Sequence, residues 1–329
     1  MNRWSVRLAL VVICTMAFPH FCPAPLIYRA GEGWTYEQVG SEGKWQRTRA
    51  KDQLEVAQQA FTKKDYSLAL KAARATVKKW PLSDYAPQAQ YLVGQCYEAK
   101  KQDEKAFAEY QKVLEKYPKI ENYQEILKRQ YEIANRFLGG QWFKLWGYVP
   151  FFPSMEKTTA MYEKLIKNGP YSDVAAQAQM NIGAASEKRA DFPTAVKAYE
   201  RAADRYNDKT KIAADAFYKA GLAYNKQAKT AEYDQGIAGK AIATFTDFIA
   251  LYPEDTRVPE AQKMIDALKV EQAHGSFKIA KYYEKTKRRN GALVYYNEVI
   301  VKDPNSPFAA EAKQRIDYLK SLTPVATPK

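Results

Sequence analysis

The chain has 329 residues, 46% of them hydrophobic, and carries 51 Lys and Arg against 37 Asp and Glu, a formal net charge of +14. That apolar content is ordinary for a globular chain. Two histidines and three cysteines leave no Cys/His cluster for a metal. The basic balance favours anionic surfaces, yet no base-reading or base-stacking module accompanies it, which argues against a nucleic-acid protein.

Residues 1–24 read as an export signal. Arg3 and Arg7 supply the positive start, and Leu8 to Phe18 an apolar run too short to span a bilayer as a stable helix, with a transmembrane anchor as the alternative. Cys14 and Cys22 fall in this segment. Cys96 is then the only cysteine in the body, and its place on a predicted helix suits a buried structural thiol. Residues 25–49 place Gly31, Gly33, Gly40 and Gly43 among Trp34, Tyr36 and Trp45, which predicts an extended arm packed on a neighbouring surface.

From residue 50 to 320 a block of roughly 37 residues recurs. In four copies a small residue is followed twelve positions later by alanine: Ala57 to Ala69, Gly94 to Ala106, Gly183 to Ala195 and Ala280 to Ala292. The fullest copy reads Gly94, Tyr97, Ala106, Tyr110, Pro118. Such offsets predict two antiparallel helices that touch at their small residues, stacked with neighbours because one pair cannot bury its apolar stripe alone. Asp65, Asp103 and Asp191 precede the second helix of their copies and are expected to cap it.

Two copies are stretched inside the pair. Gly221 to Ala241 spans 20 residues, with the extra chain near 228–238, and Ala134 to Thr158 spans 24, with the extra chain near 139–153. Six pairs result, then a capping helix with Ala309, Ala312, Ile316 and Leu319 inward. The expected class is all-α, an α-solenoid without β-sheet in the array. A tail at 321–329 is expected to be disordered.

No phosphate loop, zinc spacing or nucleophile arrangement occurs, so neither enzyme nor cofactor is expected. Surfaces remain. Trp142, Phe143, Trp146, Tyr148, Phe151 and Phe152 crowd the longer insertion and either plug a gap in the array or anchor a partner. Three residues before each small anchor stand Leu54, Tyr91, Tyr131, Met180, Tyr218 and Phe277. Gln58, Gln95 and Asn135 stand one residue after. Positions of this kind line a concave groove in which amides hydrogen-bond a peptide backbone; inter-repeat packing is the alternative. The densest basic run is Lys281, Lys285, Lys287, Arg288 and Arg289, either a docking patch or a solvated coat.

These repeats resemble the tetratricopeptide repeat. From about Ser172 to Leu319 the resemblance sharpens. Asp234-Gln235 leads into Ala241, Phe245, Asp247, Phe248 and Tyr252-Pro253; the stretch Ala261 to Lys285 follows, then Tyr295, Tyr296, Val299 and Asp303-Pro304-Asn305-Ser306-Pro307. In these features the chain resembles the BamD (YfiO/ComL-like) lipoprotein family of the bacterial outer-membrane β-barrel assembly machine. The resemblance implies a non-catalytic periplasmic scaffold on the inner face of the outer membrane, with the barrel-assembly subunit and unfolded outer-membrane protein segments as partners. The runner-up is a structural or division-linked envelope adaptor that binds no barrel substrate. A lipoprotein signal requires a small residue before the lipidated cysteine, whereas Phe21 precedes Cys22, so acylation of Cys22 breaks that pattern.

Overall fold

A computed structural model describes residues 26–29, 33–36, 45–145, 149–230 and 235–322. Contacts divide the chain into two compact units, residues 1–123 and 124–329. The first holds a hairpin of β1 (Leu26–Arg29) and β2 (Gly33–Tyr36), then two helix pairs: α1 (Ala50–Thr62) with α2 (Tyr66–Lys79), and α3 (Ala86–Ala99) with α4 (Asp103–Lys116). The second opens with α5 (Tyr123–Leu138), a hairpin of β3 (Phe143–Leu145) and β4 (Val149–Phe152), and α6 (Met155–Asn168). It continues through α7 (Ala175–Lys188), α8 (Phe192–Arg205), α9 (Thr210–Thr230), α10 (Gln235–Leu251), α11 (Val258–Lys285), α12 (Arg289–Lys302) and α13 (Ala309–Ser321). Each unit is an all-α stack of antiparallel helix pairs of the solenoid class: among the described residues, two pairs in the first unit and four in the second, the latter followed by a terminal capping helix.

The small residues do what the spacing predicts. Ala69, Ala106, Ala195, Ala241 and Ala292 are fully buried. Glycine in the first helix of a pair admits an aromatic ring of the second: a Cβ on Gly94 or Gly183 would lie 2.4 Å from the ring of Tyr110 or Tyr199, and one on Gly221 would lie 2.7 Å from Phe245. The buried tyrosines keep their hydroxyls paired. Tyr110 donates to Glu98 at 2.8 Å, and Tyr296 donates to Glu284 at 2.7 Å.

The short turns share one geometry. Lys64, Lys101, Ala190 and Lys287 all have φ between 55° and 62°, the left-handed conformation that closes a helix end. Behind them the N–H of Asp65 donates to Ala60 O at 2.9 Å, and that of Asp191 to Ser186 O at 3.0 Å. The side chains of Asp65 and Asp191 then accept from Leu68 N and Thr194 N, capping α2 and α8. Asp103 departs from the expectation. The cap position of α4 is Gln102, and Asp103 is the first helical residue, buried in the opening turn. It stands three residues before its alanine where the two true caps stand four.

The two insertions differ. The eight extra residues before Ala241 go mostly into helix: relative to the standard copy, four extend α9, three extend α10 and one joins the connection. The twelve near 139–153 become the β3–β4 hairpin, paired Phe143 to Phe152 and Leu145 to Val149. Strand therefore does occur within the array, against the expectation, because that segment has aromatic and β-branched residues but no helical period. Within the expected arm, residues 26–29 and 33–36 also pair as strands β1 and β2, where Tyr28 and Trp34 face each other at 5.4 Å and both remain exposed. Trp45 and Arg47 are tied down by the fully buried Gln53, whose amide donates to Trp45 O at 3.1 Å and accepts from Arg47 N at 2.7 Å. The expected signal at 1–24, with Cys22, and the tail beyond residue 322 lie outside the described residues.

α11 is the longest of the described helices at 28 residues, and its two halves serve different neighbours. Ala261, Ile265 and Leu268 pack with Phe245 and Phe248 of α10, whereas Ala273, Phe277 and Ala280 pack with Tyr296 of α12 and Ile316 of α13. In α13 the residues Ala309, Ala312, Ile316 and Leu319 face inward, and Arg315 pairs with Glu284.

Candidate functional site

In the first unit, α1, α3 and the segment after α4 enclose a groove of about 570 Å³, within the range of ligand pockets. Gln58, Phe61 and Thr62 come from the end of α1, and Asp84, Gln88, Tyr91 and Gln95 form one stripe along α3 and its approach. Lys119, Ile120, Glu121 and Asn122 close the third side. Gln58, Tyr91 and Gln95, three groove positions assigned by repeat register, thus share one cavity. Gln58 is exposed and Gln95 half-buried, and neither side chain has a hydrogen-bond partner among the described residues. Their carbonyls and amides can pair with both groups of a peptide bond. Tyr91 leans on Tyr110, ring centres 5.7 Å apart, and presents a half-buried ring to the opening. Gln88 extends the stripe by one helical turn and was legible from that period. Lys119 to Asn122 carry no period, and sequence reasoning passed over them.

The equivalent positions of the second unit are already engaged. Asn135 Oδ1 accepts from the Tyr162 hydroxyl at 2.5 Å and from the Asn181 amide at 2.8 Å. The same amide reaches the Tyr131 hydroxyl at 3.3 Å. Burial raises the Tyr162 hydroxyl above the usual tyrosine range. Asn135 therefore joins adjacent helices here. Met180, Tyr218 and Phe277 are buried, the packing alternative, as is Leu54 in the first unit. Tyr218 sits 5.4 Å from Phe248 with the Arg257 guanidinium 4.9 Å over its ring, and burial, reinforced by Glu260, moves its hydroxyl up to about 12.

The aromatic insertion divides its residues. Phe143 is 2% exposed and stacks on Phe137 of α5 at 4.1 Å, while Lys157 lies 5.0 Å over its ring. Trp142 is 52% exposed, and Val149 and Phe152 also face outward. Trp146 and Tyr148 lie outside the described residues, as does the Phe151 side chain. One aromatic plugs; its neighbours offer surface.

Cys96 is buried, and burial pushes its thiol up to about 11 against the opposing pull of Lys100. A thiol at that value is a poor nucleophile at neutral pH. In the basic run, Lys281 pairs with Glu311 at 3.1 Å and Arg289 donates to Leu322 O at 2.9 Å. No described helix is long and apolar enough to cross a membrane.

Residues 154–303 match the family model for an outer membrane lipoprotein, YfiO, and residues 55–119 match a tetratricopeptide repeat model. No curated protein matches the chain. Among solved structures, the C-terminal part of a repeat-containing protein from Cytophaga hutchinsonii is similar at 16% identity, covering 80% of this chain and 87% of that one with a TM-score of 0.37. A repeat protein from Bacteroides fragilis has 16% identity over 84% of this chain and 100% of its own, TM-score 0.38. One from Parabacteroides merdae has 13% identity over 82% and 98%, TM-score 0.31.

Proposed function

We propose that this chain, a tetratricopeptide-repeat protein resembling BamD, is a non-catalytic scaffold of outer-membrane β-barrel assembly that holds partner segments in the groove around Gln58, Tyr91 and Gln95. The match of residues 154–303 to the outer membrane lipoprotein family carries the reading. The groove supplies its physical means: apolar area for side chains, and amides that serve a backbone regardless of its sequence. On this reading the partners are the barrel-assembly subunit and unfolded outer-membrane protein segments, and the place of action is the periplasmic face of the outer membrane. Trp142 and Phe152 add an anchoring surface. Export through residues 1–24 belongs to the same proposal.

A photo-crosslinking amino acid at Gln95, followed by mass spectrometry of intact envelopes, tests it. Adducts with the barrel-assembly subunit or with unassembled outer-membrane proteins are expected, and they should fade when Gln58 and Tyr91 are changed to Ala. Adducts confined to peptidoglycan-associated proteins would establish the envelope adaptor instead.

A further inference from the structure

The match to the outer membrane lipoprotein family begins at residue 154, so the β3–β4 hairpin lies outside it. The hairpin is rooted in the helices. Phe143 is buried against Phe137, and Lys188 at the end of α7 donates to Leu138 O at 2.5 Å, which sets the α7–α8 turn beside the hairpin's base. From that base Trp142, Val149 and Phe152 face outward, each between 41% and 52% exposed. The charge around them is positive. Lys157 reaches over the Phe152 ring at 5.7 Å, and Lys188 and Arg189 stand exposed on the neighbouring turn. None of these three cations has an acidic partner among the described residues. The acids of that turn are engaged, Glu187 with Lys226 at 3.2 Å and Asp191 as the cap of α8, which leaves Glu156 as the exposed exception. The turns at the other ends of the same helices mix their signs, Lys167 with Asp173 and Arg205 with Asp208.

We propose that this face docks on an anionic lipid bilayer, with Trp142, Val149 and Phe152 entering the headgroup region and Lys157, Lys188 and Arg189 meeting lipid phosphates. The proposal rests on the place of action at the outer membrane given above, and it adds a contact that does not depend on acylation of Cys22. A bilayer surface receives both halves of the patch at once. Rings and the aliphatic side chain enter the shallow apolar layer, where the indole N–H still finds acceptors, while the cations stay among the phosphates. The strands pair with each other, which lowers the cost of taking their backbone out of water. A protein partner would have to supply a pocket for each ring and an acid for each cation at fixed positions, whereas lipids rearrange to match them. A neutral bilayer would take the rings and leave the cations unmatched. The Gln58 groove belongs to the other unit and takes no part.

Cosedimentation of the full chain with vesicles tests it, with phosphatidylcholine plus phosphatidylglycerol as the anionic surface and phosphatidylcholine alone as the neutral one. Binding to the anionic vesicles is expected, weakened about tenfold in Trp142→Ser with Phe152→Ser, the factor for returning one large apolar side chain to water. Arg189→Gln should weaken it about fivefold, and on anionic vesicles only. Val149→Glu, at an exposed position where no packing is lost, should act like the double serine change, and unaltered melting would show the variants folded. The apolar run Leu8 to Phe18 is present in every chain, so these ratios isolate the hairpin and its neighbours. The proposal is overturned by no binding, by a double serine chain that binds anionic vesicles as well as wild type, or by Arg189→Gln weakening neutral and anionic binding alike. Crosslinked adducts at Gln95 report on the groove separately: their persistence without vesicle binding overturns this contact alone.

Discussion

A glycine that admits a tyrosine ring is the smallest unit on which the stack depends. At Gly183 a methyl group would overlap Tyr199, a ring 1% exposed with nowhere to retreat. Gly183→Ala is expected to cost about 1–3 kcal/mol in urea unfolding, despite the better helix propensity of alanine. Charge acts at the same scale. The Arg257 guanidinium, donating to Asp255 at 2.7 and 2.8 Å, holds that carboxyl at about 2 against an ordinary 3.8. Because the folded value is depressed, its stabilising contribution is complete above about pH 4 and is lost as pH falls toward 2. Melting curves across that window should show Asp255→Asn less stable than wild type near neutrality, with the gap closing toward pH 2. The spacing of small residues and rings was legible in the sequence because packing needs both at fixed offsets. Asp103 was misplaced because a one-residue slip of register separates a cap from a first-turn carboxylate.

Helix turns and hairpins obey local rules that the sequence discloses unevenly. Among the described residues four turns put a non-glycine residue at positive φ, and Ala190, with no side-chain group to bond its own backbone, has the least to offset that strain. Ala190→Gly is expected to stabilise the chain by about 0.5–1 kcal/mol, relief of strain exceeding the added freedom of the unfolded chain; an unchanged or lower melting temperature would refute this. The position and aromatic character of the longer insertion could be read directly. Its division could not, because in an extended segment adjacent residues point to opposite sides, and a window of mixed aromatics does not say which set faces the helices. Trp142 and Phe143 are adjacent, yet one is exposed and the other stacked on Phe137. Phe143→Ala should therefore cost about 3–5 kcal/mol, whereas Trp142→Ser with Phe152→Ser should stay within about 1 kcal/mol of wild type. Thermal unfolding of the three chains side by side distinguishes these outcomes. Equal losses would mean that the hairpin is buried as a whole.

At the scale of the molecule, the all-α class followed from the sequence because every copy solves the same burial problem. The Gln58, Tyr91 and Gln95 groove followed in part, since helix period marks one wall and the chain at 119–122 that forms another has none. In a repeat stack each layer normally meets only the next, so any layer can open while the rest stays closed. α11 breaks that independence, binding Phe245 and Phe248 with one half and Tyr296 with the other. Replacing Lys269 and Val270 by Gly, at about 1 kcal/mol each, should turn one unfolding step of this region into two, seen as separate hydrogen-exchange blocks at 235–268 and 273–319. A single block in the variant would show that the coupling does not run through this helix. The intact helix acts as a splice between two modules. The modules joined by α11 can therefore only be gained, lost or melted together.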